Sequence, residues 1–330
     1  VDFFFVLSGF VVGYAYNERF KDRSLTLGGF FRRRLIRLHP MVVLGAVLGA
    51  MSFALQGFVK WDGTEVALWN VIVAMLLSML MIPASPGAMH EVRGNGEMFP
   101  LNGPTWSLFF EYIANIAYAL VLRRLGTRLL ATFVALMAVS YATFDIFNFS
   151  EMWSMNLGWT LAGYNLSGGF LRVGLCFSMG MLLQRIFKPW RIKGAFTLCS
   201  LLLVALLAVP YITPIANNIH WYNSLYEIVC VTVAFPLIVQ MGASGVLKGR
   251  VTTALCNFVG RISYPLYIVH YPVMYLLYHW LWTCERSIEA TIVAVVTAVA
   301  SSIVIAYVAM RFYDTPVRAR LSKIGAKNKQ

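Results

Sequence analysis

The chain has 330 residues, of which 59% are hydrophobic and 12% charged, about half the roughly 25% charge of an average soluble domain. That excludes a soluble globule. The formal net charge of +13 does not mark a nucleic-acid binder, because the basic residues lie in short clusters between apolar runs, a pattern that reads as membrane topology.

The first run, VDFFFVLSGFVVGYAY over residues 1–16, is short for a span, and neither an initiator methionine nor a signal-peptide basic region precedes it. It reads as cut from a longer chain. FFRRRLIRLHP follows at residues 30–40. At 100° per residue Arg33, Arg34 and Arg37 share one arc of a helix and Phe31, Leu35 and Leu38 another. Such a cationic face holds a span end at the cytoplasmic surface, or it grips a phosphorylated ligand through planar guanidinium forks. Apolar windows of span length recur at 41–59, 66–82, 104–122, 129–147, 173–187, 195–212, 226–241, 262–282 and 291–310, by the usual requirement of about 17 to 25 apolar residues.

These windows predict an all-α, polytopic transmembrane bundle of nine to ten spans, with a membrane domain over residues 1–315 and a basic tail over 316–330. Basic residues at 123–128, 185–193, 248–261 and 318–329 are each two windows apart, so one side holds them all, and the carboxyl terminus is expected in the cytoplasm. The arginines at 32–37 obey the same parity only if one of the two windows between 41 and 82 fails to cross. The stretch 66–82, followed by a loop with Pro83, Pro86, Gly87, Gly94, Gly96 and Pro100, is expected to be re-entrant or tilted. The end SKIGAKNKQ reads as disordered.

Ionisable residues inside spans are costly and therefore candidates for function. Glu111 shares a helix face with Ser107, Asn115 and Tyr118 at spacings that build one polar track, which serves either chemistry or interhelical hydrogen bonding. His270 stands mid-span among Tyr264, Tyr267, Tyr271, Tyr275 and Tyr278, with Ser263 one heptad before it. Its imidazole suits acid or base work, or a satisfied core position. Pro265 and Pro272 are expected to free helix carbonyls for other partners. No histidine has a neighbour at ligand spacing, and the five cysteines show no CxxC pattern, so neither a metal site nor a disulfide framework is expected.

Taken in order, VDFFFVLSGF, FFRRRLIRLHP, LNGPTWSLFFEY, ISYPLYIVHYP and FYDTPVR resemble the motifs of the acyltransferase-3 family of bacterial integral membrane O-acyltransferases. His39 and Asp314 depart from the family's usual tyrosine and glutamate. The resemblance implies transfer of an acyl group, most often acetyl, from acyl-CoA as co-substrate to a hydroxyl of a surface carbohydrate or glycoside at the bacterial cytoplasmic (inner) membrane. It implies no permanently bound cofactor, no nucleic-acid partner, and the lipid bilayer as surroundings; it leaves the oligomeric state open. It places Arg34 and Arg37, with Arg33 beside them, at the acyl donor, and Glu111 and His270 in the catalytic role. Asp2, Ser8, Asn102, Trp106, Ser107, Ser263 and Tyr264 then bind substrate or support the site. The family's first helix, with an arginine and a histidine usually given the catalytic role, is expected upstream of VDFFFVLSGF, so the chain as written is expected to insert but not to transfer. The competing readings are a glycan or lipid transporter or flippase without chemistry, and an inactive relative.

Overall fold

The computed structural model describes residues 1–211, 221–246 and 249–327, with side chains to residue 324. The apolar runs fold as helices, since only internally bonded backbone is stable away from water. In chain order these are α1 (Asp2–Lys21), α2 (Leu27–Leu55), α3 (Leu68–Met79), α4 (Thr105–Leu120), α5 (Thr127–Ile146), α6 (Asn165–Ile186), α7 (Ala195–Leu207), α8 (Trp221–Val229), α9 (Phe235–Ala243), α10 (Arg250–Thr283), α11 (Ile288–Val308) and α12 (Thr315–Lys327). A π turn at Cys230–Ala234 joins α8 to α9, and another at Ala309–Asp314 joins α11 to α12. Each ends two residues before a proline, Pro236 and Pro316. Sheet among the described residues amounts to one parallel pair, β1 (Ile192–Lys193) with β2 (Gly245–Val246). The all-α class holds.

Among the described residues six segments are long and apolar enough to cross a membrane: Leu27–Leu55, Thr105–Arg124, Thr127–Ile146, Asn165–Ile186, Trp221–Ala243 and Ile288–Ile324. The expected nine to ten reduce to six on that criterion. α7 has 13 residues, about 20 Å of helix against a hydrocarbon core of about 30 Å; Ile212, the end of its apolar window, lies outside the described residues, as does Lys248 of the basic cluster 248–261. α1 and α10 have the length, 20 and 34 residues, but fall short in apolarity. α3 has 12 residues, and Trp61 N donates to Arg93 O at 3.2 Å. The chain between them therefore leaves and returns to the same place.

The membrane domain expected over residues 1–315 is built as two compact units. One comprises Val1–Leu27, Phe110–Gly158 and Gly163–Ala254; the other comprises Gly28–Phe109, Trp159–Ala162 and the chain from Leu255 onward. The division falls inside α4.

In the first unit α1 lies directly on α6, because a side chain on Gly9 would collide with the carbonyl of Phe177 and one on Gly180 with that of Val6. Small residues at a crossing let backbones approach and dispersion contacts accumulate. Phe5, Val6, Leu175, Phe177 and Met181 fill the seam. Towards the far end of α1, Asn17 Nδ2 donates to Gln184 Oε1 at 2.8 Å and Tyr118 Oη donates to Asn17 Oδ1 at 2.9 Å.

In the second unit, Met41, Val42, Leu108, Ile262, Ile268, Val269 and Ala306 form the core between α2, α10 and α11. Phe53, Val71, Val92 and Leu101 pack under α3 and the loop after it. Pro272 has no N–H, so the carbonyl of Ile268 four residues back is open. Asn102 Nδ2 fills it at 2.9 Å, and Ser52 Oγ donates to Pro272 O at 2.7 Å. The carbonyl that Pro272 frees thus ties α10 to the loop, and the carbonyl of Pro272 itself ties it to α2, each bond contributing about 1 kcal/mol.

The tail expected to be disordered is helical through Lys327. Two contacts anchor it: Arg318 Nη1 meets Asp314 Oδ2 at 3.0 Å, and Arg32 Nη2 donates to Leu321 O at 2.8 Å. Residues 328–330 lie outside the described residues.

Candidate functional site

The polar track of α4 is buried along its whole length: Ser107, Glu111, Asn115 and Tyr118 are at most 2% exposed. In the first unit Glu111 Oε1 accepts from Ser8 Oγ at 2.5 Å and from Asn115 Nδ2 at 3.1 Å. Asn115 Nδ2 also donates to the Glu111 carbonyl at 2.6 Å. A carboxyl group placed so deep costs several kcal/mol unless it is bonded, and here two donors fix its orientation. Ser8 and Glu111, 103 residues apart in sequence, are thus brought together.

Asp2 forms a two-pronged ion pair with Arg172, Nε to Oδ1 and Nη2 to Oδ2 both at 2.8 Å. The remaining Nη1 of Arg172 donates to the Leu157 carbonyl. The planar fork matches the carboxylate, which is why arginine is the cation used. Arg172 escapes the sequence reading because it stands one residue before the apolar window 173–187. Glu227 and Asp145 are further acids that the reading misses, although each lies inside a window and the rule that singles out Glu111 would find them. Glu227 accepts from Ser154 Oγ at 2.6 Å and Met155 N at 2.7 Å; Asp145 Oδ1 accepts from Ser224 Oγ at 2.9 Å.

In the second unit His270 is half-buried, its ring 5.8 Å from that of Tyr267 and 5.4 Å from that of Tyr271. Its Nδ1 lies 3.1 Å from Leu266 O, and a bond there makes Nε2 the basic nitrogen. Ser107 Oγ and Tyr267 Oη share a 2.5 Å hydrogen bond, so one of the two hydroxyls donates to the other and the remaining proton goes to Pro104 O, 3.0 Å from Ser107 Oγ and 3.2 Å from Tyr267 Oη. Asn102 serves the Pro272 gap, Trp106 is buried, and Tyr264 Oη donates to Leu38 O at 2.6 Å. Ser263 is exposed and spends its hydroxyl on Gly260 O of its own helix.

The arginine face needs one correction. α2 begins at Leu27 and packs along Phe30, Arg34 and Leu38 at spacings of four, so Arg34 lies on the buried stripe, 6% exposed, while Arg33, Arg37 and the supposedly inward Leu35 are exposed. One guanidinium is held inside, and two reach out.

The loop between α3 and α4 holds a cation that no period or motif singles out. Arg93, 1% exposed, lies 3.5 Å from the ring centre of Tyr275; its Nε donates to Pro100 O at 2.5 Å and its Nη1 to Gln56 Oε1 at 2.9 Å. Tyr275 Oη donates to Glu97 Oε2 at 2.5 Å. Burial pushes Glu97 above the usual carboxylate range, against the pull of Tyr275, Asn95 and the Arg93 charge. A raised pKa stabilises the fold while Glu97 is protonated, and that contribution is lost as pH rises from the unfolded value of about 4.3 through the folded one. Glu97→Gln is therefore expected to flatten this part of the melting profile, with the variant gaining on the wild type as pH approaches neutrality. Parallel melting curves from acid to neutral pH would show that Glu97 does not carry the effect.

Among the described residues no three His, Cys, Asp or Glu side chains meet as a metal site. The family model described as "Acyltransferase domain", that of the acyltransferase-3 family, matches residues 1–311. The chain is similar to "Protein 2 in picA locus" of Rhizobium radiobacter, 34% identical over 125 residues, which covers 36% of this chain and 63% of that protein. It thus spans less than two thirds of that relative's length. No solved structure matches. With the family model covering nearly the whole sequence, and the five motifs present in order, the chain belongs to the acyltransferase-3 family.

Proposed function

We propose that this protein is a membrane O-acyltransferase that moves an acyl group, in the simplest case acetyl, from acyl-CoA to a hydroxyl of a surface carbohydrate or glycoside. It works in the bacterial cytoplasmic membrane with its carboxyl terminus in the cytoplasm. The observation that supports this most directly is Glu111, a carboxyl group at the centre of a span-length helix, oriented by Ser8 and Asn115. Packing alone seldom uses so costly a group.

In the transfer the acceptor hydroxyl gives up its proton to a base, its oxygen attacks the thioester carbonyl, and the carbon–sulfur bond breaks. The ester forms, and the thiolate of CoA takes up a proton. His270, with Nε2 as its basic nitrogen, fits the base, and Glu111 is the buried carboxyl group that the family resemblance gives a catalytic role. Arg33 and Arg37 reach the diphosphate of CoA from the exposed end of α2, and Arg34 holds that end of the helix in register.

Arg33 and Arg37 replaced together by alanine are expected to weaken acetyl-CoA binding by about 100-fold, from two charge-assisted contacts of roughly 1.5 kcal/mol each. Isothermal titration on the detergent-solubilised full-length protein measures this. An unchanged dissociation constant would remove the donor role from α2.

A further inference from the structure

The first unit encloses a cavity of about 230 Å³ whose walls include Asp2, Tyr141, Asn156, Arg172, Glu227 and Phe235. The transfer step described above makes no use of it. Tyr141 is 1% exposed, yet its hydroxyl has no hydrogen-bond partner among the described residues. As a residue of the cavity wall, Tyr141 has a hydroxyl that can both donate to and accept from a guest.

The chemistry of the wall narrows the guest. Asp2 and Arg172 are paired with each other, so among its described residues the wall offers no unpaired cation to a phosphate or a carboxylate. Glu227 is already anchored by Ser154 and Met155, and the spare lone pairs of its carboxylate can accept from a guest hydroxyl. Tyr141 can donate, and Tyr226 and Phe235 offer apolar faces. Donor, acceptor and aromatic face together suit a ring that carries hydroxyls on its rim and C–H bonds on its faces. Asp2 stands six residues before Ser8 on α1, about 9 Å along the axis, and Ser8 bonds Glu111. The Asp2 wall of the chamber thus stands on the same helix as the serine that holds the buried carboxyl group.

We infer that this cavity seats one neutral sugar ring of the acceptor, hydrogen-bonded by Tyr141 and Glu227. The acyltransferase reading supplies the reason for a sugar there; the binding itself can be tested without it.

Saturation-transfer NMR on the detergent-solubilised full-length protein, with methyl glycosides of glucose, galactose, mannose and N-acetylglucosamine as probes and glucuronate as the anionic control, reads the site directly. At least one neutral glycoside is expected to bind and glucuronate is not. Tyr141→Phe removes an oxygen that no described residue needs, so the fold is retained, and affinity should fall about 3- to 10-fold. Glu227→Gln should weaken binding further, about 10-fold or more, with Tyr141→Phe deciding the matter if that variant fails to fold. No neutral binder, equal binding of glucuronate, or unchanged affinity in Tyr141→Phe overturns the inference. Acetyl transfer measured beside it separates the two ideas: transfer with no effect of the variants on sugar binding sinks the cavity alone, whereas sugar binding lost in the variants of a protein that transfers nothing sinks the enzyme reading and leaves the site.

Discussion

Glu111→Gln is expected to lower acyl transfer by about 10²- to 10⁴-fold, the range typical of losing a positioned acid–base or charge-bearing group. Glutamine keeps the length of the side chain and one oxygen that accepts from Ser8 and Asn115. What disappears is the charge. The melting temperature should therefore move little, since the burial and the two hydrogen bonds survive. Incorporation of labelled acetyl into the host glycan by membranes carrying the full-length protein gives the first quantity, and intrinsic-fluorescence melting gives the second. A clear drop in melting temperature with normal transfer would mean that the α4 track is interhelical glue and that the charge has no part in the chemistry.

The second large effect is on stability. Asp2 and Arg172 are both deeply buried, and breaking such a pair by removing one partner costs about 3–5 kcal/mol, because the other charge is left without compensation. Arg172→Met should thus destabilise the first unit severely, and Asp2→Asn somewhat less, since asparagine still offers an oxygen to the guanidinium. Joining Arg172→Met to Asp2→Leu removes both charges and should recover much of the loss. Denaturant or thermal unfolding of Arg172→Met, Asp2→Leu and the double variant in one detergent, with Asp2→Asn beside them, tests the cycle. If the double variant is as unstable as the sum of the singles, the pair is not the coupled unit its geometry describes.

Much of this was legible from the residues. Helix class and the burial of the α4 track follow from apolar windows and period, because a helix in lipid has few alternatives. Glu111 was conspicuous as an acid among apolar neighbours. The partners were not, since Ser8 and Arg172 are joined to their carboxylates across 103 and 170 residues, and periodicity carries no information about which helix lies beside which. Arg34 was assigned to the wrong face for a related reason: three arginines in one arc look alike until packing against Phe30 and Leu38 selects one. Arg93 was invisible because a loop has no period at all. Its burial under Tyr275 depends on how the chain between Trp61 and Thr105 closes on itself.

The π turn at Ala309–Asp314 lets the chain change length without changing its face. The inward side of α11 runs through Ala298, Ser302 and Ala306, and it continues through Ala309, Met310 and Asp314 because the wider turn accommodates an additional residue. Take one residue out, and the turn can close to an ordinary helical one with Asp314 still inward and Arg318 still beside it. Phe312, 73% exposed, is the residue of the turn whose removal disturbs packing least, so a variant that lacks it is expected to fold.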